Sequence, residues 1–119
     1  MEKEAIRLLV ADLIGNDTAV STDDGDSVFQ NIKSSFATGN LVTLDFDKIN
    51  LLTTAFLNAA IGQLYSEYNS DFLNRNLKLA NVAKEDKILF VKVIQRAKEY
   101  FEDKKGFEDS ANKAFYGGK

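Results

Sequence analysis

Residues 41–57 read LVTLDFDKINLLTTAFL, and how this stretch is read decides the fold. LVTLDF is a short, mostly apolar run, the pattern of a strand buried on both sides. Past residues 48–52 the period changes. Phe56, Leu57, Ala60, Ile61, Leu64, Tyr65 and Tyr68 recur at helical spacing and form a wide apolar stripe. The spacing predicts a helix over TTAFLNAAIGQLYSEY, starting at Thr53 or Thr54. Two hydroxyls therefore stand where a helix begins, just past a buried strand.

The same alternation of periods extends in both directions. Upstream, AIRLLVADLIG places Ile6, Leu8 and Val10 in alternation and reads as a strand ending at Gly15, with a helix as the alternative. A further short strand fits TAVST, residues 18–22. DSVFQNIKSSFATGN sets Val28, Phe29, Ile32 and Phe36 at helical spacing, with Thr22, Asp23 and Asp24 as start signals and Gly39 as a stop. Downstream, NLKLANV alternates again. KEDKILFVKVIQRAKEYFEDKK then carries Ile88, Val91, Ile94, Ala97 and Phe101 on one helical face. The order is β-α-β-α-β-α, which implies crossover connections and an α/β fold: a small, mostly parallel sheet with flanking helices. Helices covering one face of so small a sheet leave a face or edge for a partner. Gly106 follows Lys104 and Lys105 and marks a boundary, so residues 1–105 form the domain and 106–119 a tail. Phe107, Ala111 and Phe115 stand four apart in that tail and suggest a short helix that docks on the domain or on a second copy.

Composition removes several function classes. A chain of 119 residues fits one domain, and at 45% hydrophobic content it can build a core without staples. It has no cysteine, which excludes disulfides, thiol catalysis and thiolate-held zinc. It has no histidine, so the usual neutral-pH base and the commonest metal ligand are missing. No cofactor or metal motif is present, and an enzyme is not expected. With 15 basic against 18 acidic residues, nothing draws the whole surface to a nucleic acid. No run approaches the roughly 20 apolar residues of a membrane span, and the expected compartment is the cytoplasm.

Four groups of residues can be weighed as sites. Thr53 or Thr54 can cap the helix, an arrangement worth about 1 kcal/mol. The other hydroxyl then faces solvent at a helix start, where a phosphate is favoured by the dipole and free N–H groups. Asn58, on the same predicted helix, is counted with them as a partner contact. Asp23 and Asp24 lie in an acidic turn without the spacing of a calcium loop, and they suit a helix start, with a weak cation or partner contact as the alternative. Asp45 and Asp47 bracket Phe46 and share one strand face; two carboxylates there could do acid–base work and are secondary binding candidates, but with no third group to orient them solvated strand-end acids are expected. Residues 84–105 carry mixed charges at helical spacing, the pattern of a solvated face.

The order of elements and the motif NLVTLDFDKINLLTTAFLNAAIGQLY resemble the STAS-like domain of unknown function found in bacterial and phage proteins. That family is related to the STAS domains of anti-sigma factor antagonists. The resemblance runs from Ala5 to about Phe101. Its features are Val42-Thr43-Leu44-Asp45-Phe46 as the strand and Thr53-Thr54-Ala55-Phe56 as the hydroxyl-bearing helix start. Upstream, VSTDDGDSVFQNI is similar to the family's first turn and helix. Downstream, NLKLANVAKEDKILFVKVIQRA is similar to its third strand and closing helix. In antagonist domains the helix start reads Asp-Ser-Ser-Gly, and a partner kinase phosphorylates the first serine. Carried over residue by residue, that acid falls on Thr53 and the phosphorylated serine on Thr54. The second serine falls on Ala55 and the glycine on Phe56. One hydroxyl is kept at the key position, without its flanking acid and glycine.

The resemblance implies a non-enzymatic regulatory module that docks on a kinase-like ATPase or a sigma-factor regulator. The alternative is a small enzyme or ligand-binding domain using Asp, Lys and Thr groups. The surface around Thr54 discriminates: exposed apolar residues favour a protein partner, and a closed polar pocket favours a substrate.

Overall fold

The computed structural model describes residues 4–112, with the side chains of residues 4–101. The elements run β1 (Ala5–Leu9), α1 (Val10–Ile14), β2 (Thr18–Ala19), α2 (Thr22–Ala37), β3 (Leu41–Asp45), β4 (Leu51–Leu52), α3 (Thr54–Ala60), α4 (Ser70–Asn76), β5 (Leu77–Ala80) and α5 (Lys87–Asn112). Single 3₁₀ turns occupy Gly62–Ser66 and Lys84–Asp86.

The main sheet is wholly parallel in the order β1-β3-β5, so the strand expected from LVTLDF is the central one. Its register explains the burial. Ile6, Val42 and Leu77 lie in line, as do Leu8, Leu44 and Leu79, and this face meets the helices. Val42 and Leu44 are completely buried there. The opposite face carries Arg7, Thr43 and Lys78, then Leu9, Asp45 and Ala80. The helical layer contributes Val28, Ile32, Phe36, Phe56, Leu57, Leu64, Leu73, Phe90 and Val93 to one continuous core. Edge-on ring contacts join its parts. Phe36 meets Tyr68 and Phe72 at 5.1 and 5.2 Å, and Phe46 meets Phe90 at 5.0 Å.

Several elements differ from the sequence reading. The run ending at Gly15 is neither all strand nor all helix. β1 stops at Leu9 and α1 follows, because completely buried Val10 turns into the core and Gly15, at φ 67°, closes the helix in the left-handed region. The strand expected over residues 18–22 keeps only Thr18–Ala19. It pairs in parallel with Leu51–Leu52, a strand hidden in the connection after β3. The helix expected through Tyr68 breaks after Ala60. The chain tightens into a 3₁₀ turn at Gly62, a poor helix former, and restarts as α4 where the Asn69 side chain accepts from the Phe72 N–H. Tyr68 and Phe72 then stack at 4.9 Å.

At the other end, α5 continues across Gly106 to Asn112 without a break. The side chains of Phe107 and Ala111, and Phe115 altogether, lie outside the described residues, so the tail-docking expectation falls there. Among the described residues no helix is long and apolar enough to cross a membrane.

Candidate functional site

The pair β2–β4 forms a short ribbon, and each strand feeds a helix. β2 leads through Val20 to Ser21, whose Oγ accepts from the Asp24 N–H at 3.0 Å and caps α2. β4 leads directly to Thr53, whose Oγ1 accepts from the Phe56 N–H at 3.2 Å and caps α3. The same hydroxyl donates to the Val20 carbonyl at 2.9 Å, and the Thr53 N–H donates to the Ala19 carbonyl at 3.1 Å. One side chain thus satisfies its own helix and ties that start to the neighbouring one. The two helix starts lie side by side.

Close packing of α2 on α3 holds them so. Gly25, one turn into α2, is buried against α3. A Cβ there would come within 2.6 Å of both Ala59 Cβ and the Phe56 carbonyl oxygen. Only glycine permits that approach. Gln63 adds a polar tie, donating to Asp26 and to the Ala59 carbonyl.

The sequence-predicted residues fall as follows. Thr54 is the first residue of α3 and is exposed, as are Ala55 and, one turn on, Asn58. Asp23 and Asp24 sit in the first turn of α2, where they complement its dipole; α3 has no acid in its first turn. Around these groups the ribbon exposes aliphatic surface: Leu51 is 54% exposed and Val20 37%. Their chain neighbours Leu52 and Ala19, which are in register with each other, point the other way and are buried. The groove beside α3 is lined by Asn58, Gly62 and Gln63 with Arg96, Ala97 and Tyr100 of α5, and it takes nothing from Thr53 or Thr54.

Asp45 and Asp47 do not act as a pair, and the expectation of two solvated acids fails at Asp45. Asp47 is exposed, but Asp45 is only 4% exposed. Arg7 reaches across from β1 and meets Asp45 Oδ2 at 2.7 Å through Nε and again through Nη2. Asn81 Nδ2 and the Asp47 N–H donate to Oδ1 at 2.8 and 2.9 Å. Asn81 itself adopts the left-handed region, at φ 57°. Burial pushes the Asp45 carboxyl up, but the Asn81 amide, the Asp47 N–H and the Arg7 guanidinium outweigh it and hold the group below its ordinary value. The acid lies on the sheet face away from the core, buried by its own partners. Neither Arg7 nor Asn81 stands out as a site by residue type alone. The signal was an arginine inside an apolar strand, in register two residues short of an acid-ended central strand.

The family described as STAS-like domain of unknown function matches residues 24–87, more than half of the chain. The protein belongs to that family. The matched span begins within α2 and ends at the first residue of α5, so it includes β3, the ribbon strand β4, α3, α4 and β5. No curated protein and no solved structure matches the chain.

Proposed function

We propose that this chain is a non-enzymatic regulatory interaction module whose docking surface is the β2–β4 ribbon and the start of α3. The observation that carries the reading is the surface around Thr54: an exposed hydroxyl and the exposed Asn58 amide beside aliphatic Leu51 and Val20. Apolar groups interleaved with hydrogen-bonding ones suit a protein surface, whereas a substrate needs an enclosing pocket. Family membership supports the same reading, because related STAS domains are regulatory. The partner class is a kinase-like ATPase or another signalling protein, with Thr54 and Asn58 as contacts. Asp23 and Asp24, in the neighbouring helix start, select for donor groups on the partner. They also oppose a phosphate at Thr54.

Affinity capture from the source cells, with wild type and two variants as bait, tests this. Wild type retains one stoichiometric signalling partner. Thr54→Glu keeps its melting temperature and loses most of that partner. Thr53→Ala keeps the partner but loses about 1 kcal/mol of stability, because the cap and the Val20 tie go together. A partner retained equally by wild type and Thr54→Glu overturns the assignment of the surface.

A further inference from the structure

Among the described residues, the non-glycine residues with a left-handed backbone are Lys48, at φ 68°, and Asn81, at φ 57°. A side chain is strained in that region, and such residues persist where their surroundings hold them. Both lie in loops that leave the carboxyl ends of main-sheet strands, and one oxygen atom binds both loops. Asp45 Oδ1 accepts from the Asp47 N–H at 2.9 Å and from Asn81 Nδ2 at 2.8 Å. Arg7 holds the other oxygen, Oδ2, through Nε and Nη2, which leaves Oδ1 to the loops. Phe46 to Ile49 forms a tight turn, closed by the Ile49 N–H on the Phe46 carbonyl at 3.2 Å. Lys48 is its third residue, where a positive φ ordinarily calls for glycine. The turn leads straight into the ribbon: Asn50 and Leu51 donate to the Asp17 carbonyl, and β4 pairs with β2. Ile49 and Leu52 on one side and Asn81 and Val82 on the other line one cavity of only about 10 Å³, which at most one water fills. The two loops therefore pack on each other and on β4.

We propose that Asp45 is the latch of a conformational device. Its Oδ1 holds the loop at residues 46–50 and the loop at 81–83 in their strained conformations. When the latch opens, both loops relax together and β4 leaves β2, while the main sheet and the helices stay folded. The opening unit is local and cooperative, because one acceptor atom serves both loops and the loops share one packed contact. A partner that needs the paired ribbon binds the latched state alone, so the latch sets how much of the protein is competent to bind. That consequence rests on the docking surface proposed above, since Leu51 and Thr53 ride on β4. The latch itself is measured with no partner present, so failure of the surface assignment and failure of the latch are separate results.

Native-state hydrogen exchange of the full chain, read amide by amide by NMR, tests this. The reporters are the amides of Ile49, Asn50 and Thr53, which donate to the Phe46, Asp17 and Ala19 carbonyls. The references are the amides of Ile61 and Leu64, which donate within the helical layer. Asp45→Ala speeds the three reporters together by about tenfold or more relative to the references. Asn81→Gly removes one bond to the latch and keeps the left-handed backbone accessible. It speeds the same amides by a smaller factor, and it carries the test if Asp45→Ala does not fold. Adding Lys48→Gly to either variant slows the reporters again by about threefold, because glycine takes a positive φ without strain. Equal acceleration of reporters and references is a global loss of stability and overturns the proposal. Acceleration that stops short of Thr53 overturns it as well, since the ribbon is then not tied to the latch. So does a Lys48→Gly change that leaves the reporters where they were, since no strain was being held.

Discussion

At the scale of single residues, the two hydrogen-bond hubs have different jobs. Thr53 is spent on structure: its one hydroxyl donates to Val20 and accepts from Phe56, which leaves Thr54 as the hydroxyl offered outwards. Asp45, at the carboxyl end of β3, ties together all three strands of the main sheet. It takes Arg7 from β1 and Asn81 from just past β5. Its carboxyl titrates below its ordinary value in the folded chain, so the sign of its pH effect follows. The charged form is favoured by folding. The resulting stability is present above the unfolded carboxyl value of about 3.9 and is lost as pH falls through the lower folded value. Asp45→Asn keeps the shape, removes the charge and leaves Arg7 facing an amide. The variant melts several degrees below wild type at pH 7, and the gap narrows towards pH 3. Parallel melts at both pH values measure this; a gap that stays constant or widens in acid removes Asp45 from the stabilising groups.

Among the elements, the contact that matters most for the candidate site is α2 on α3. By intrinsic propensity, replacing a helical glycine with alanine stabilises by about 1 kcal/mol. At Gly25 the sign reverses. The new methyl meets a backbone oxygen and a Cβ, both at 2.6 Å, and neither belongs to a flexible side-chain end that can yield. Gly25→Ala therefore pushes the two helices apart, at a cost of about 1–3 kcal/mol for overpacking. Gly62→Ala is the matched control, since its methyl meets nothing closer than 3.6 Å. Chemical denaturation of both variants checks the contrast, and a Gly25→Ala protein as stable as Gly62→Ala rejects the close approach. The sequence showed that two helices bury one stripe each, from Val28, Phe29, Ile32 and Phe36 and from Phe56, Leu57 and Ala60. It could not show how near they come, because Gly25 looked like part of an acidic turn. The two-residue strands were equally hidden. Thr18–Ala19 and Leu51–Leu52 are too short for a period, and only their pairing makes them strands. Ser21 was passed over as a cap because three other start signals follow it.

For the whole molecule, the parallel sheet and its central strand were legible because LVTLDF is a short, mostly apolar run that lies between two helical periods. The buried Asp45 was not, since its concealment depends on two residues 38 positions before and 36 after it in sequence. The same long-range logic bears on where the folding unit ends. Among the described residues, the side chains that α5 commits to the core are Phe90, Val93 and Ala97, with Leu89 and Ile94 packed beside them. All lie in the first three turns of the helix. A chain cut after Lys105 keeps those turns and about two more, enough helix to hold the buried stripe against the turn at Gly62–Ser66. A folding unit that ends at the Gly106 boundary is therefore the expectation to test, although the helix itself runs on to Asn112. The truncated chain should be soluble, show the circular dichroism of the full chain less one or two helical turns, and melt within about 5 °C of it, a loss of no more than about 1–2 kcal/mol for a domain of this size. An insoluble product, or a melt lowered by much more, would place residues 106–119 in the folding unit.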